Sequence, residues 1–451
     1  MTGLALASLR HRATASTATF LAILLGTALM GSFASLFAAA AGPVSEPDRE
    51  ALITMGSVVG GWGSLIVLFA VISTVGITAT QREVEIGVLR TIGATPRQAR
   101  RLIRAETLVV ALVASGAGAL LAALGGRALL AALRSGGLVA DSVRVDGELV
   151  THALTAVIVV TLSLLASEIA GRRAARGPAT VAPRESVPGG RRPRWWRAVA
   201  GVILVGYGLA LGVITVTVTA DAADPYDAMG TSGPASIVVG LGLAALAPWL
   251  LRLLAPLGRP LLLLAGPAGR LAADNARRRA SLLSGVLAPV IVLTSAAMGT
   301  LTLVGIDGRT LPASGFDPAV ADQINLLNNV VVAMIVLFAA VVVVNSFAAV
   351  LAHRTAELRR LWLIGATPRE IRSSVVAEAA LVAGVGVVLG TLAALATTVP
   401  FGIARHEGLI PNGQLWLPPL VAVGAVILTL LAARLGLRWS GPVATPAPSS
   451  R

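Results

Sequence analysis

The sequence lacks two residue types altogether, cysteine and lysine. Without cysteine there is no disulfide, no thiol nucleophile and no thiolate metal site. Without lysine the chain cannot supply the Gly-x-x-x-x-Gly-Lys-Ser/Thr loop that cradles nucleotide phosphates, so any ATP hydrolysis, with its ATP and magnesium, has to come from a partner chain. Histidine is scarce: His11, His152, His353 and His406 are scattered at no ligand spacing, and neither a metal nor a cofactor is expected here. Charged residues make up only 13%, about half of what a soluble domain carries. The chain is therefore expected to be neither an enzyme nor a soluble protein.

What remains is apolar. Hydrophobic residues make up 55% and the mean hydropathy is +0.83. Ten apolar runs reach the roughly 20 residues that a helix needs to cross a bilayer: about 14–41, 54–80, 105–133, 150–170, 198–219, 234–251, 281–305, 326–352, 375–400 and 415–433. The first follows Arg10-His11-Arg12 in the manner of a signal peptide, but its length suits a span better than a short cleaved core. The run at 234–251 is the shortest and carries Pro248.

The arginines orient these spans. Ten crossings that start inside leave 30 arginines in the N-terminus, 81–104, 171–197, 252–279, 353–373 and the C-terminal tail, and six in the outer loops. Short cytoplasmic loops collect positive charge, so both termini are expected in the cytoplasm and the protein in the inner, or cytoplasmic, membrane. This topology accounts for the net charge of +14 and removes the case for nucleic-acid binding.

An internal repeat divides the chain. Residues 81–106 (QREVEIGVLRTIGATPRQARRLIRAE) match 353–378 (HRTAELRRLWLIGATPREIRSSVVAE) at 12 of 26 positions with an offset of 272, including an unbroken Ile-Gly-Ala-Thr-Pro-Arg. Leu4–Ala13 matches Leu271–Ala280 at an offset of 267. Matching segments face the same side, so the repeat is parallel, about an axis along the membrane normal. The expected fold is an all-α polytopic membrane bundle of about ten helices, two parallel four-helix repeats joined by two further helices. The expected parts are a first repeat at 1–170, a basic linker at 171–196, two connecting helices and a cytoplasmic segment at 197–270, a second repeat at 271–437 and a tail at 438–451.

Each repeated motif is an elbow between two spans. Glu83–Ile92 mixes charges with Val84, Ile86, Val88 and Leu89, as a short interfacial helix does. Gly93 ends that helix, Thr95 caps the next, and Pro96 occupies its first position, where a missing N–H costs nothing. Gly365, Thr367 and Pro368 repeat the pattern. A single such signal is a chain reversal and nothing more. Two copies that also keep Glu85/Glu357 and Arg97/Arg369, which a turn does not require, imply a surface that meets something itself present twice. A local pair holding the elbow is the competing use of these acids. Ten residues after each proline, Glu106 and Glu378 sit where the chain re-enters the membrane. A carboxylate there is either held structurally by the helix dipole and nearby arginines or couples elbow to helix.

The pattern of an acidic residue, apolar positions, Leu-x-x-(Ile/Leu)-Gly-Ala-Thr-Pro-Arg and then a glutamate opening an apolar helix closely resembles the FtsX-like permease family of the MacB-type, or type VII, ATP-binding-cassette (ABC) exporters. The resemblance covers about 50–130 and 325–400 well. It implies a permease subunit that exports or extracts an amphipathic or hydrophobic substrate, such as a lipid, lipoprotein, peptide or drug. It also implies docking of ABC ATPase subunits, two per chain, on coupling elbows made by Glu83, Glu85, Arg90, Gly93, Thr95, Pro96 and Arg97 and by Glu357, Arg359, Gly365, Thr367, Pro368 and Arg369. The copies differ at Glu83/Thr355 and Arg90/Trp362, so the two docking sites are expected to be unequal. The loops at 42–53 and 306–325 are too short for the large external domain of many relatives. They disfavour the alternative of an ATP-driven mechanotransmission or signalling protein that transports nothing. An ion-coupled transporter would need charges or broken helices at mid-membrane, and none stands out.

Overall fold

The computed structural model describes residues 13–80, 91, 93–135, 137, 139–145, 147–175, 195–222, 225–264, 266–310, 340, 342–344, 346, 347, 350, 351, 354, 357–410 and 414–439. Among the described residues there are helices and connections and no strand. Hydrocarbon cannot hydrogen-bond a free peptide group, and a helix satisfies every interior one itself.

The helices are α1 (Ala13–Ala40), α2 (Glu46–Thr80), α3 (Pro96–Ser135), α4 (Glu148–Ala175), α5 (Trp195–Thr217), α6 (Pro225–Leu254), the short α7 (Arg259–Leu263), α8 (Gly266–Arg278), α9 (Ala280–Thr310), α10 (Pro368–Ala404) and α11 (Leu417–Trp439). The described residues of 340–363 are helical as well. Eight helices among the described residues are long and apolar enough to cross a membrane. They correspond to all of the expected spans but 54–80 and 326–352. The first of these is helical throughout within α2, and 326–339 lies outside the described residues.

Two of the expected outer loops give up residues to a helix. The chain expected to loop over 42–53 is helical from Glu46, because Ser45 caps α2 by accepting the Asp48 N–H at 3.3 Å. Glu46 and Asp48 then sit favourably in its first turn, against the positive end of the helix dipole. The charges that suggested a loop are an N-terminal signature. Likewise 306–310 belongs to α9. The short apolar run expected at 234–251 is part of the 30-residue α6, with Pro234 and Pro248 inside it.

The first repeat packs α1 against α2, α3 and α4 around Ile23, Leu29, Leu36, Leu130 and Leu133. The second packs α9 against α10 and α11 around Leu287, Ile291, Val382 and Leu389. The α5–α6 pair lies on α9 and α10. α9 is enclosed over 83% of its most apolar window, whereas α5 is enclosed over 22%. So α9 is the central helix and α5 presents Val202, Ile203 and Val213 to lipid.

Lipid tails are as apolar as leucine, so helices in a bilayer are held by close backbone approach instead. A Cβ at Gly118 of α3 would lie 2.6 Å from the Leu24 carbonyl oxygen and 2.8 Å from Thr27 Cβ of α1. A Cβ at Gly390 of α10 would lie 3.0 Å from the Ile291 carbonyl oxygen and 2.5 Å from Thr294 Cβ of α9. These are the same joint twice, at offset 272 for the glycines and 267 for their partners, the two offsets of the sequence repeat. About two turns further on, the small and large members change places. Gly125 abuts Ser32 in the first half, whereas Thr397 abuts Gly299 in the second.

Thr397 does more than fill space. Its hydroxyl donates to the Ser232 carbonyl at 2.6 Å and accepts the Ser236 N–H at 2.9 Å, while Ser232 Oγ donates to the Thr397 carbonyl at 3.0 Å. The hydroxyl thus occupies one step of the α6 hydrogen-bond ladder, two residues after Pro234. α10 thereby supplies hydrogen bonds to α6 next to Pro234, within a helix that runs on through that proline.

Candidate functional site

At 1.5 Å per residue, the 40 residues of α3 and the 37 of α10 extend about 60 and 55 Å, well beyond a hydrocarbon core of about 30 Å. Their first turns therefore project from one side of the bilayer, and the elbows lie there.

The second elbow is built by local backbone physics. The helix ending at Leu363 closes with Ala366 N–H on the Leu361 carbonyl at 2.9 Å and Gly365 N–H on Trp362 at 3.0 Å. This pair of bonds defines the Schellman turn, which requires a left-handed residue. Gly365 has φ +101°, a value that costs glycine little. Thr367 then caps α10: its hydroxyl accepts the Glu370 N–H at 3.3 Å, and the Glu370 carboxylate accepts the Thr367 N–H at 2.8 Å, with Pro368 in the first turn.

The first elbow repeats the glycine conformation and the cap. Gly93 also has φ +101°, and Thr95 exchanges the same two bonds with Gln98, at 3.3 and 2.8 Å. Glu83, Glu85 and Arg90 lie outside the described residues. Pro96 opens α3, and Arg97 is exposed on its first turn. In the second copy Arg359 and Arg369 are exposed. The tip itself is apolar, since Trp362, Leu363 and Ile364 are 37%, 66% and 80% exposed.

Behind the tip is a buried ionic cluster. Arg354 and Glu378, 3% and 2% exposed, form a two-pronged pair in which Arg354 Nη1 donates to Glu378 Oε2 and Nη2 to Oε1 at 3.1 Å. Asn275 Nδ2 of α8 donates to Glu378 Oε1 at 2.7 Å. Arg354 Nε also donates to Glu357 Oε2 at 3.2 Å, and Arg279 donates to the same oxygen. Two guanidiniums thus neutralise two carboxylates while joining α8, α10 and the elbow helix. Burial pushes the Glu357 carboxyl up, and the bonds and charges of Arg279 and Arg354 more than reverse this, leaving it below the ordinary glutamate value.

Of the two expected uses of the repeated acids, Glu357 has its carboxylate turned into the chain, where it anchors the elbow. Glu378 does meet an arginine, and the pair joins the elbow helix to α10. Glu106 is likewise 2% exposed. Sequence reading missed Arg279, Arg354 and Asn275 as partners, although the repeat held a signal. Arg354 and Arg279 are matched by Arg82 and Arg12 at the two offsets. Among the described residues no three His, Asp or Glu side chains gather as a metal site would need.

The chain matches the FtsX-like permease C-terminal family twice, over residues 57–179 and 329–442. No curated protein matches it. Each match runs through one elbow and its following long helix, and together they cover more than half of the sequence. The chain belongs to the FtsX-like permease family and is a multi-pass membrane permease component of an ABC-type transporter.

Proposed function

We propose that the two elbows are the docking points for ATP-hydrolysing ABC subunits, one on each. The elbow side is then the cytoplasmic side of the inner membrane, as the arginine distribution favours. Closure of the ATPase subunits would push on the elbows, and the movement would reach α10 through Arg354 and Glu378 and expel an amphipathic substrate towards the outer leaflet.

The observation that carries this reading is the exposed apolar tip Trp362–Leu363–Ile364, held by a Schellman turn beyond the end of a helix long enough to cross the bilayer. Three adjacent large apolar side chains outside hydrocarbon mark a surface that another molecule covers. Glu357 serves the docking indirectly, by fixing the base of the tip.

The test is purification of the tagged full chain from its native membranes, with identification of what co-elutes. An ABC ATPase is expected with the natural chain, and its recovery should fall at least tenfold for Ile364→Asp at unchanged chain stability. Equal recovery with both chains, or no ATPase with either, would overturn the docking assignment.

A further inference from the structure

The first turns of α3 carry Arg97, Arg100, Arg101 and Arg104 on one face, and the end of α4 lies opposite with Leu164 and Glu168. Between them is an open cleft of about 520 Å³. Its charge is unbalanced. Glu168 is the acid in the cleft, and it is already engaged by Arg100 at 3.4 Å and Arg172 at 2.8 Å. Among the described residues Arg97 and Arg101 meet no carboxylate, and Arg104 makes no ion pair and acts on Glu168 only at a distance.

The far wall of the cleft is apolar, made by Leu108 and Leu164. It continues along α3 and α4 into Leu112, Val113 and Leu165, which are 56%, 60% and 54% exposed. A stretch suited to crossing the membrane begins at Arg100, so this wall faces hydrocarbon and the arginines lie at its edge. The cleft therefore offers guanidiniums at headgroup depth and leucines at acyl-chain depth.

We propose that this cleft binds an anionic phospholipid of the elbow-side leaflet, its phosphate among Arg97, Arg100, Arg101 and Arg104 and an acyl chain along Leu108, Leu112 and Leu165. Guanidinium groups bind phosphate oxygens in forked pairs, and basic pockets between membrane helices hold acidic headgroups. A second observation separates this surface from the docking elbows, which recur in both halves. At the repeat offset, Arg101 and Arg104 become Ser373 and Val376. Arg97 and Arg100 recur as Arg369 and Arg372, but the full cluster of four belongs to the first half alone, so Arg101 and Arg104 are not required for whatever meets both elbows. A protein partner in water would also have no access to the leucine wall.

The decisive variant is Arg101→Ser with Arg104→Val, which installs the residues of the second half at two exposed positions. Full chain in neutral detergent would be titrated with phosphatidylglycerol, phosphatidylcholine or inorganic phosphate, with bound lipid read by native mass spectrometry and the unfolding midpoint read in parallel. Phosphatidylglycerol should stay bound through delipidation and raise the midpoint, while phosphatidylcholine and inorganic phosphate do neither. Each arginine removed should weaken the lipid about fivefold, roughly 25-fold for the pair, with the midpoint in phosphatidylcholine unchanged. Equal retention of both lipids, or protection by inorganic phosphate alone, would overturn the proposal. So would a double variant that keeps its lipid but loses a co-purifying ATPase, since the cleft would then be a protein-docking face.

Discussion

Alanine placed at Gly118 and at Gly116 should have opposite effects, although the two positions are two residues apart in the same helix. In both places alanine removes the conformational cost of a helical glycine, a gain of about 0.5–1 kcal/mol. At Gly116 the new methyl group meets nothing within 4 Å, so the gain stands alone. At Gly118 it falls 2.6 Å from the Leu24 carbonyl oxygen, nearly an ångström inside an ordinary contact. The obstacle is backbone, so α1 as a whole must retreat. Overpacking of this kind costs about 1–3 kcal/mol. Because the propensity gain is common to both variants, the difference between them isolates the overlap, and about 1–3 kcal/mol should separate them. Thermal unfolding of each full chain in one mild detergent, followed by loss of monodispersity, is the assay. Gly384→Ala, which also meets nothing, and Gly390→Ala repeat the comparison in the second half. Indistinguishable midpoints for Gly116→Ala and Gly118→Ala would refute the view that these interfaces are set by backbone approach.

Arg354→Ala leaves Glu378 buried with only Asn275 for company, and should destabilise the chain by about 3–5 kcal/mol in the same unfolding assay; a loss under 1 kcal/mol would show that water replaces the guanidinium. Since the chain has no cysteine, Asp221→Cys and Arg369→Cys can each be labelled alone in sealed cells. The impermeant thiol reagent should reach the first from outside and the second only after lysis, and the reverse pattern would invert the topology. The purified chain should turn over no ATP until an ABC ATPase is added, and steady hydrolysis that survives repeated purification would contradict the missing phosphate loop.

Legibility in the sequence followed the range of the interactions. Gly93, Gly365, Thr95 and Thr367 could be read directly, because a left-handed turn and a helix cap are decided within four residues. The cluster around Arg354 could not. Its members come from α8, the elbow helix and α10, 103 residues apart for Asn275 and Glu378, and no periodicity announces which arginine meets which glutamate. The hydrogen bonds that α10 gives α6 were out of reach for a related reason, since Thr397 lies on a helix 161 residues further along the chain than Ser236. Ser45 was readable but overshadowed. Its cap and the acids of Glu46 and Asp48 spell a helix start, yet charge and Pro47 together look like a loop.

The doubled glycine joint also bears on which side of the molecule is symmetric. From Leu24 to Gly118 the chain advances 94 residues, and from Ile291 to Gly390 it advances 99. The five additional residues of the second half fall between Gly299 and His353, because the offset is 267 up to the first and 272 from the second. The two elbows share a left-handed glycine and a threonine cap, so a molecule approaching there meets those features in two places. The arginines beyond the turns are not all shared, because Arg101 and Arg104 correspond to Ser373 and Val376, so that molecule can still tell one half from the other.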